Sequence, residues 1–277
     1  MIRDLLYPGS TTRIWAHVET PFKKGSRPVD QSRYLFDSDD PVAVLADCER
    51  AVAQGVQAFM YNSYAVGSFE DKARSVYFTA TQKAGLKQLI NIDGANITSL
   101  AAYQAYVNHT EAVIHTLPNY ETWNGKPIVT VFGKAGEQAA WFQQVESEHP
   151  DLCFVYYDTP YEKNRMDWIK VVPDPTIPQE TFCKQYATRH DGGLYVPCVF
   201  MGFDDTVIRN GKPTSVWNLN LPARVAPAEG PNAATWARSW ANINKYWSAT
   251  NQLPFVQIVT WNDLDEGTGV CRGIPKL

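Results

Sequence analysis

Residues 254–270 read PFVQIVTWNDLDEGTGV, and this stretch decides how the rest of the chain is interpreted. Phe255 to Val259 predict a buried strand, because apolar side chains dominate the run. The chain then becomes polar at Asn262 and Asp263, and Glu266 follows three residues later. Carboxylates are costly to place beside a core unless they are solvated, paired or used. The stretch therefore indicates a core strand whose end opens onto a polar edge of a sheet.

Short apolar runs alternate with helical patterns along the chain. The predicted strands are 13–18, 56–61, 88–92, 127–132, 152–157, 194–201 and 255–260, and 166–172 is an ambiguous further strand. The predicted helices are 41–54, 69–84, 99–113, 137–148, 179–188 and 233–249. Strands separated by helices imply parallel βαβ units.

Seven or eight such units in 277 residues predict an α/β fold, a (β/α)8 TIM barrel that forms one domain over residues 1–277. An open doubly wound sheet is the alternative, and the lack of a GxGxxG motif after the first strand argues against it. The irregular stretch Asp204–Asn232 is too long for an ordinary connection, so it predicts a loop over the active face of the barrel.

Charge and composition exclude several classes of partner. The net charge is −4, from 25 basic and 29 acidic residues, and a nucleic-acid partner is not expected because phosphate binding needs a basic face. No apolar run approaches the length of a membrane span, which is about 20 residues. The first ten residues lack the apolar core of a signal peptide, so we expect either an intracellular protein or a chain given without its export signal.

Metal ions and other cofactors are not expected. The five cysteines form no CxxC pair, and the five histidines form no HxH or HExxH spacing. The chain has 9 Trp, 14 Tyr and 12 Phe residues, which together with the acidic balance suit sugar binding. They are equally typical of a large aromatic core, and composition alone leaves both interpretations open.

Polar residues follow the predicted strands, at the end of a barrel where catalytic groups lie. No glycine-rich phosphate loop accompanies them. This end of the barrel, which we call the mouth, therefore fits a neutral polyol better than a phosphate. The candidate substrate-binding residues are His17, Tyr61, Asn62, Asp93, Asp158, Asp204, Trp261 and Asn262.

Each candidate also has a structural interpretation. Asp93, Asp158 and Asp204 are alternatively caps of helices or loops, a common use of Asp. His17 is alternatively a core histidine with its hydrogen bonds satisfied. For Asp263 and Glu266 the alternative is a solvated turn.

Two carboxyl groups near one another suit glycosidic cleavage. One carboxylic acid protonates the leaving oxygen, and one carboxylate drives displacement at the sugar carbon. We assign Glu266 as the general acid and Asp263 as the base. Positions three apart on a straight strand face opposite sides, so the chain must turn after Asp263 for both to face one pocket.

The motif IVTWND followed by Glu266 resembles the signature of glycoside hydrolase family 71, the α-1,3-glucanases or mutanases. The segment NGKPIVTVFG at 124–133 resembles the fourth-strand segment of that family. Weaker similarities are WAHV at 15–18, GVQAFMYN at 55–62, LINIDG at 89–94 and VFMGFDD at 199–205. The resemblance implies a barrel fold, endo-acting α-glucanase chemistry with inversion, no metal, and the catalytic pair at Asp263 and Glu266.

The segment Glu266-Gly267-Thr268 is similar instead to the related family 99, the endo-α-mannosidases, which have an acidic pair at the same spacing followed by Gly-Thr. That resemblance implies retention, with a base that acts through the 2-hydroxyl of the sugar. The chain departs from family 71 at Asp265, where Gly is usual, and at Gly267-Thr268, where Ser-His is usual. Sugar, linkage and stereochemistry therefore stay open.

Three functions follow. The first is a glycosidase with a carbohydrate substrate, and a polymer-degrading enzyme would be expected outside the cell. The second is a carbohydrate-binding barrel without catalysis, motivated by Asp265 and the missing Ser-His pair. The third is an amidohydrolase-like barrel, which the lack of metal-ligand histidine motifs disfavours. The sequence does not indicate an oligomeric state.

Overall fold

Ten strands form one sheet in the computed structural model of the chain. The structure describes residues 1–20, 38–63, 66–94, 97–133, 135–157, 163–170, 174–203, 231–263 and 269–270, without the side chains of 135–138 and 231–234. The strands are β1 (Arg13–Val18), β2 (Ala58–Ser63), β3 (Lys87–Asp93), β4 (Thr122–Trp123), β5 (Lys126–Phe132), β6 (Cys153–Tyr157), β7 (Arg165–Met166), β8 (Tyr195–Val196), β9 (Cys198–Val199) and β10 (Phe255–Ile258).

The strand order is β8-β7-β6-β5-β3-β2-β1-β10-β9, and every pair along it is parallel, while the short β4 pairs antiparallel with β5. Only Pro197 separates β8 from β9. On one side the Asp167 amide donates to the Val196 carbonyl at 2.9 Å, and on the other the Gln257 amide donates to the Pro197 carbonyl at 3.0 Å. Strands β8 and β9 therefore act as one strand that joins the two ends of the sheet and closes it. The predicted (β/α)8 barrel is confirmed.

Six α-helices lie in the described part of the chain. They are α1 (Pro41–Ala53), α2 (Phe69–Ala84), α3 (Leu100–Ile114), α4 (Ala135–Glu148), α5 (Thr176–Ala187) and α6 (Pro231–Tyr246), and a short 3-10 helix covers Ile2–Leu5. Side chains cap the first three helices, with Asp40, Ser68 and Ser99 accepting hydrogen bonds from first-turn amides. Gly85 ends α2 in the left-handed conformation. In the described part of the chain, no helix is both long and apolar enough to cross a membrane.

The segment NGKP leads into β5, and its first two residues form the turn of a β-hairpin between β4 and β5, with positive φ at Asn124 and Gly125. Helix α5 begins three residues before its predicted start, because Pro178 lies in the first turn, where proline is tolerated. The predicted loop Asp204–Asn232 lies outside the described residues except for its last two positions, which belong to α6.

A buried ion pair fills the end of the barrel where the strands begin. The Glu121 carboxylate is fully buried and accepts hydrogen bonds from Arg13 Nη1 at 2.5 Å and from Trp15 Nε1 at 3.3 Å. The Arg13 guanidinium also lies over the ring of Phe255, 4.4 Å from its centre. This end is packed by side chains, so the opposite end is where a ligand can reach the barrel interior.

Candidate functional site

The alternation of side chains along β2 selects which residues face the barrel interior. Tyr61 packs against Tyr77 and Phe78 of α2, with ring centres 5.5 and 5.3 Å away. The next residue, Asn62, instead contacts residues of the neighbouring strands. Successive side chains of a strand point to opposite faces, so Asn62 faces inward and Tyr61 faces the helices.

A chain of hydrogen bonds crosses four strands at the inner face of the mouth. Thr130 Oγ1 donates to Asn91 Oδ1 at 2.9 Å, and Asn91 Nδ2 donates to Asn62 Oδ1 at 2.7 Å. Asn62 Nδ2 then donates to the Glu19 carboxylate, at 3.2 and 3.4 Å from its two oxygens. This polar relay (Thr130, Asn91, Asn62 and Glu19) is buried throughout, and each amide is held in one orientation by its partners.

His17 lies beside the relay at the end of β1. Its Nδ1 is 3.6 Å from Glu19 Oε1, and neither ring nitrogen makes a hydrogen bond of normal geometry with a described residue. Burial lowers the pKa of His17 to about 3, and the adjacent Asn62 amide opposes this only in part. The imidazole is therefore neutral at physiological pH, because desolvation by burial disfavours its charged form.

Three aromatic side chains form a wall around the mouth next to His17. Phe132 stacks on Tyr157 with ring centres 4.9 Å apart, and Trp168 contacts Phe132 at the same distance. The edge of Trp168 meets His17 at 4.8 Å, and Lys170 Nζ donates to the Tyr157 hydroxyl at 3.2 Å. All three rings of this aromatic wall (Phe132, Tyr157 and Trp168) are partly exposed, so they offer apolar faces to a ligand.

The segment after β10 is fastened to the end of β1. The Trp261 amide donates to the His17 carbonyl at 2.7 Å. The side chain of Asn262 accepts from the Glu19 amide and donates to the Glu19 carbonyl, both at 2.8 Å. We call this two-bond contact the Asn262 clamp. Asp263 is the next residue in the chain, so the clamp holds the backbone just before Asp263 against Glu19. The predicted substrate-binding residue Asn262 thus uses its amide to position the site.

Asp263 and Gly269 lie next to each other, on either side of residues 264–268. The Asp263 amide donates to Thr260 Oγ1 at 2.9 Å, and the Gly269 amide donates to the Asp263 carbonyl at 2.9 Å. The ends of the loop therefore lie together. Glu266 belongs to residues 264–268, which lie outside the described residues, as do Asp158 and Asp204.

Two residues expected to line the mouth lie elsewhere. The indole of Trp261 is buried, and its Nε1 donates to Asp47 Oδ2 of α1 at 2.9 Å. Tyr61 is fully buried against α2. Tyr61 belongs to the outward phase of β2, which the strand-end pattern did not distinguish from the inward phase, and Trp261 lies beyond the end of β10, where strand alternation no longer sets the direction of a side chain. Asp93 lies at the end of β3, partly exposed.

Burial of Asp47 beside this contact has an electrostatic consequence. Desolvation raises the pKa of Asp47 to about 6, although the Trp261 hydrogen bond and the charge of Arg50 both lower it. The contact therefore contains a carboxyl group that changes its charge near pH 6.

The candidates predicted from the sequence omitted Glu19, Asn91, Thr130 and the aromatic wall. The two-residue periodicity of a strand, applied from His17, predicts that Glu19 faces the same side, because residues two apart on a strand share a face. Asn91 and Thr130 follow from the same rule on β3 and β5. Trp168 follows the two-residue strand β7, which is too short to give a periodic signal. No group of three or more His, Cys, Asp or Glu residues suited to hold a metal ion occurs among the described residues.

Comparison with known proteins identifies the fold as a barrel of the kind found in glycoside hydrolases. A family 99 endo-α-mannosidase from Bacteroides thetaiotaomicron, in complex with bis-Tris propane, superimposes with a TM-score of 0.70 at 14% identity, over 93% of this chain and 86% of that one. A second structure of the family 99 endo-α-mannosidase from that organism gives 0.69 at 12% identity, over 93% and 87%.

A glycoside hydrolase-like protein gives a TM-score of 0.61 at 10% identity, over 94% of this chain and 87% of that one. No family model matches the chain, and no curated protein matches it. At these identities the likeness shows the shared barrel fold.

Proposed function

We propose that the protein is a glycoside hydrolase that cleaves α-glycosidic bonds in a polysaccharide or glycan. One observation carries the proposal: a hydrogen-bonded carboxylate, a neutral buried imidazole and an aromatic wall lie together at the end of β1, to which Asn262, the neighbour of Asp263, is hydrogen-bonded. Sugar rings have apolar faces that stack on aromatic side chains, and their hydroxyls need hydrogen-bonding partners of both kinds. The mouth combines both requirements in one place.

In this proposal Asp263 is the base and Glu266 is the general acid. The acid protonates the leaving glycosidic oxygen while the carboxylate drives displacement at the sugar carbon, directly or through water. The Asn262 clamp would hold Asp263 against the end of β1. Further proposed substrate contacts are His17, Asn62, Asp93, Asp158 and Asp204.

The substrate is proposed as an α-1,3-linked glucan attacked within the chain, on the resemblance of IVTWND and NGKPIVTVFG to family 71. An endo-α-mannosidase-like activity is the second candidate, because Glu266-Gly267-Thr268 resembles family 99 and the barrel is similar to two family 99 structures. The two differ in sugar and in stereochemical outcome.

Product analysis by NMR on a panel of α-glucans and α-mannans separates these candidates. Inversion on an α-1,3-glucan supports the first, and retention on an α-mannan supports the second. Asp263→Asn and Glu266→Gln should each reduce kcat by at least about 100-fold, the usual contribution of general acid or base catalysis. Undiminished activity in either variant would remove that residue from its assigned role.

A carbohydrate-binding barrel that has lost catalysis is the third candidate, favoured by Asp265 at the position where family 71 has Gly. Isothermal calorimetry on the same panel tests it. Binding without release of reducing ends on any sugar would favour this candidate over both enzymes.

A further inference from the structure

The strongest unexplained feature of the mouth is the imidazole of His17. It is 1% exposed, and both ring nitrogens lack a hydrogen-bond partner among the described residues. A neutral imidazole carries one donor and one acceptor, and leaving both unmade in a buried place costs free energy. Hydroxyl groups, which donate and accept, satisfy such a ring without changing its charge.

The carboxylate of Glu19 lies at the same place and is firmly held there. Its side chain is only 10% exposed, it ends the polar relay, and the Asn262 clamp fixes its backbone from both sides. Buried acidic side chains are rare unless they are paired or used. A relay of three neutral side chains leads to this group and orients it.

We infer that Glu19 and His17 together bind neighbouring hydroxyl groups of one sugar ring and so determine which sugar the site accepts. Glu19 accepts a hydrogen bond from one hydroxyl, and His17 donates to or accepts from the next. His17 Nδ1 and Glu19 Oε1 are 3.6 Å apart, so a sugar ring with a hydroxyl on the carboxylate also has hydroxyls near the imidazole. The aromatic wall, which touches His17 through Trp168, would stack on the face of the same ring. This inference rests on the proposed carbohydrate substrate.

Glu19→Gln tests the role of the carboxylate with little change in shape. On the sugar that the wild-type protein cleaves best, we expect kcat/KM to fall about 10- to 100-fold, because a hydrogen bond to a charged acceptor is weakened. On the analogue of that sugar lacking the hydroxyl that Glu19 binds, Glu19→Gln and the wild type should have equal kcat/KM. A set of mono-deoxy analogues at each ring position identifies that hydroxyl.

Glu121→Gln is the matched control, since it neutralises another buried carboxylate, at the other end of the barrel. It should leave the pattern across the deoxy analogues unchanged. If Glu19→Gln lowers kcat/KM by the same factor on every analogue, Glu19 has only a structural role and the inference is overturned. If Glu19→Gln does not fold, His17→Gln provides a second test. Its loss of kcat/KM should disappear on the analogue that lacks the hydroxyl next to the one bound by Glu19.

The outcomes separate the inference from the proposed function. Cleavage by the wild type with an unaffected Glu19→Gln variant overturns the inference alone. If the wild-type protein neither cleaves nor binds any sugar of the panel, both are overturned.

Discussion

His17 shows how a single buried residue makes stability depend on pH. Its pKa is about 3 in the folded protein against 6.5 in an exposed histidine. Between these values the unfolded chain binds a proton that the folded chain does not, so the stability is fully present above pH 6.5 and is lost as the pH falls toward 3. Every pKa unit in this window corresponds to about 1.4 kcal/mol.

We therefore expect His17 to contribute a loss of about 2–3 kcal/mol in the free energy of unfolding between pH 6.5 and pH 4.5. His17→Gln should lack this contribution, and urea unfolding of both proteins at the two pH values measures the difference. Parallel pH profiles for wild type and variant would show that the ring is protonated in the folded state.

Gly94 and Gly133 bring two strand ends into backbone contact. A Cβ added at Gly94 would lie 2.4 Å from the Phe132 carbonyl oxygen and 3.0 Å from Gly133 Cα. Neither neighbour is a side chain that can swing away. Gly94→Ala should therefore destabilise the protein by about 3 kcal/mol or more, since the backbone of β5 must shift.

Gly125→Ala is the control for this substitution. The backbone at position 125 also favours glycine, because its φ is +80°, but a Cβ added there would meet no atom within 4 Å. It should cost about 1–2 kcal/mol, the penalty for a left-handed residue. Thermal unfolding monitored by circular dichroism compares the two variants. An equal loss of stability would mean that the backbone contact between β3 and β5 adjusts to the added methyl group without cost.

At the scale of elements, the contact between Asp47 and Trp261 joins α1 to the end of β10. The pKa of Asp47 is about 6 when folded, against 3.8 unfolded. The folded state holds the proton more tightly, so stability is greatest below pH 3.8 and is lost as the pH rises through 6, opposite in sign to His17.

Asp47→Asn should remove this decline, which amounts to roughly 3 kcal/mol between pH 3.8 and pH 7. The amide oxygen of Asn can still accept from the Trp261 indole. Trp261→Phe should do the reverse and raise the pKa further, because the hydrogen bond that stabilises the carboxylate is lost. Chemical denaturation across pH 4–7 measures the free energy of unfolding of both variants. If its dependence on pH equals that of the wild type, Asp47 does not ionise in this range.

Helices and long strands were the elements best predicted from the sequence. Helix α2 has the predicted bounds 69–84, because Ser68 and Gly85 cap it with strong local signals. The two-residue strand β7 was ambiguous, since its neighbours in space, rather than its own residues, make it a strand. The pair Asn124-Gly125 is itself a hairpin signal, and the apolar run after it masked the turn.

Site residues were harder to predict than elements. Strand ends indicated His17, Asn62 and Asp263, but the outward phase of Tyr61 was not separated from the inward phase, and the direction of Trp261 beyond β10 was not foreseen. That phase depends on which face each strand presents to the helices, a tertiary property. The polar relay from Thr130 to Glu19 joins strands far apart in the chain, so only the folded sheet reveals it.

At the scale of the whole molecule, the two ends of the barrel have different roles. The Glu121 end is packed by Arg13 and Trp15, whereas the opposite end carries the proposed site. Glu121→Gln should cost about 2 kcal/mol, because it weakens a buried ion pair that also satisfies an indole donor. Urea unfolding measures the loss, and a shift in sugar preference in this variant would contradict the separation of roles.

The Asn262 clamp also has a consequence for synthesis of the protein in the cell. Its two partners lie 243 positions apart, so Glu19 leaves the ribosome long before the residue that holds it. A nascent chain that stops between β10 and Asn262 can pair β10 with β1, but it lacks the side chain that holds the Glu19 backbone. Translation products that stop before Asn262 should therefore lack a formed mouth, and the proposed carbohydrate site can be completed only after that residue has left the ribosome.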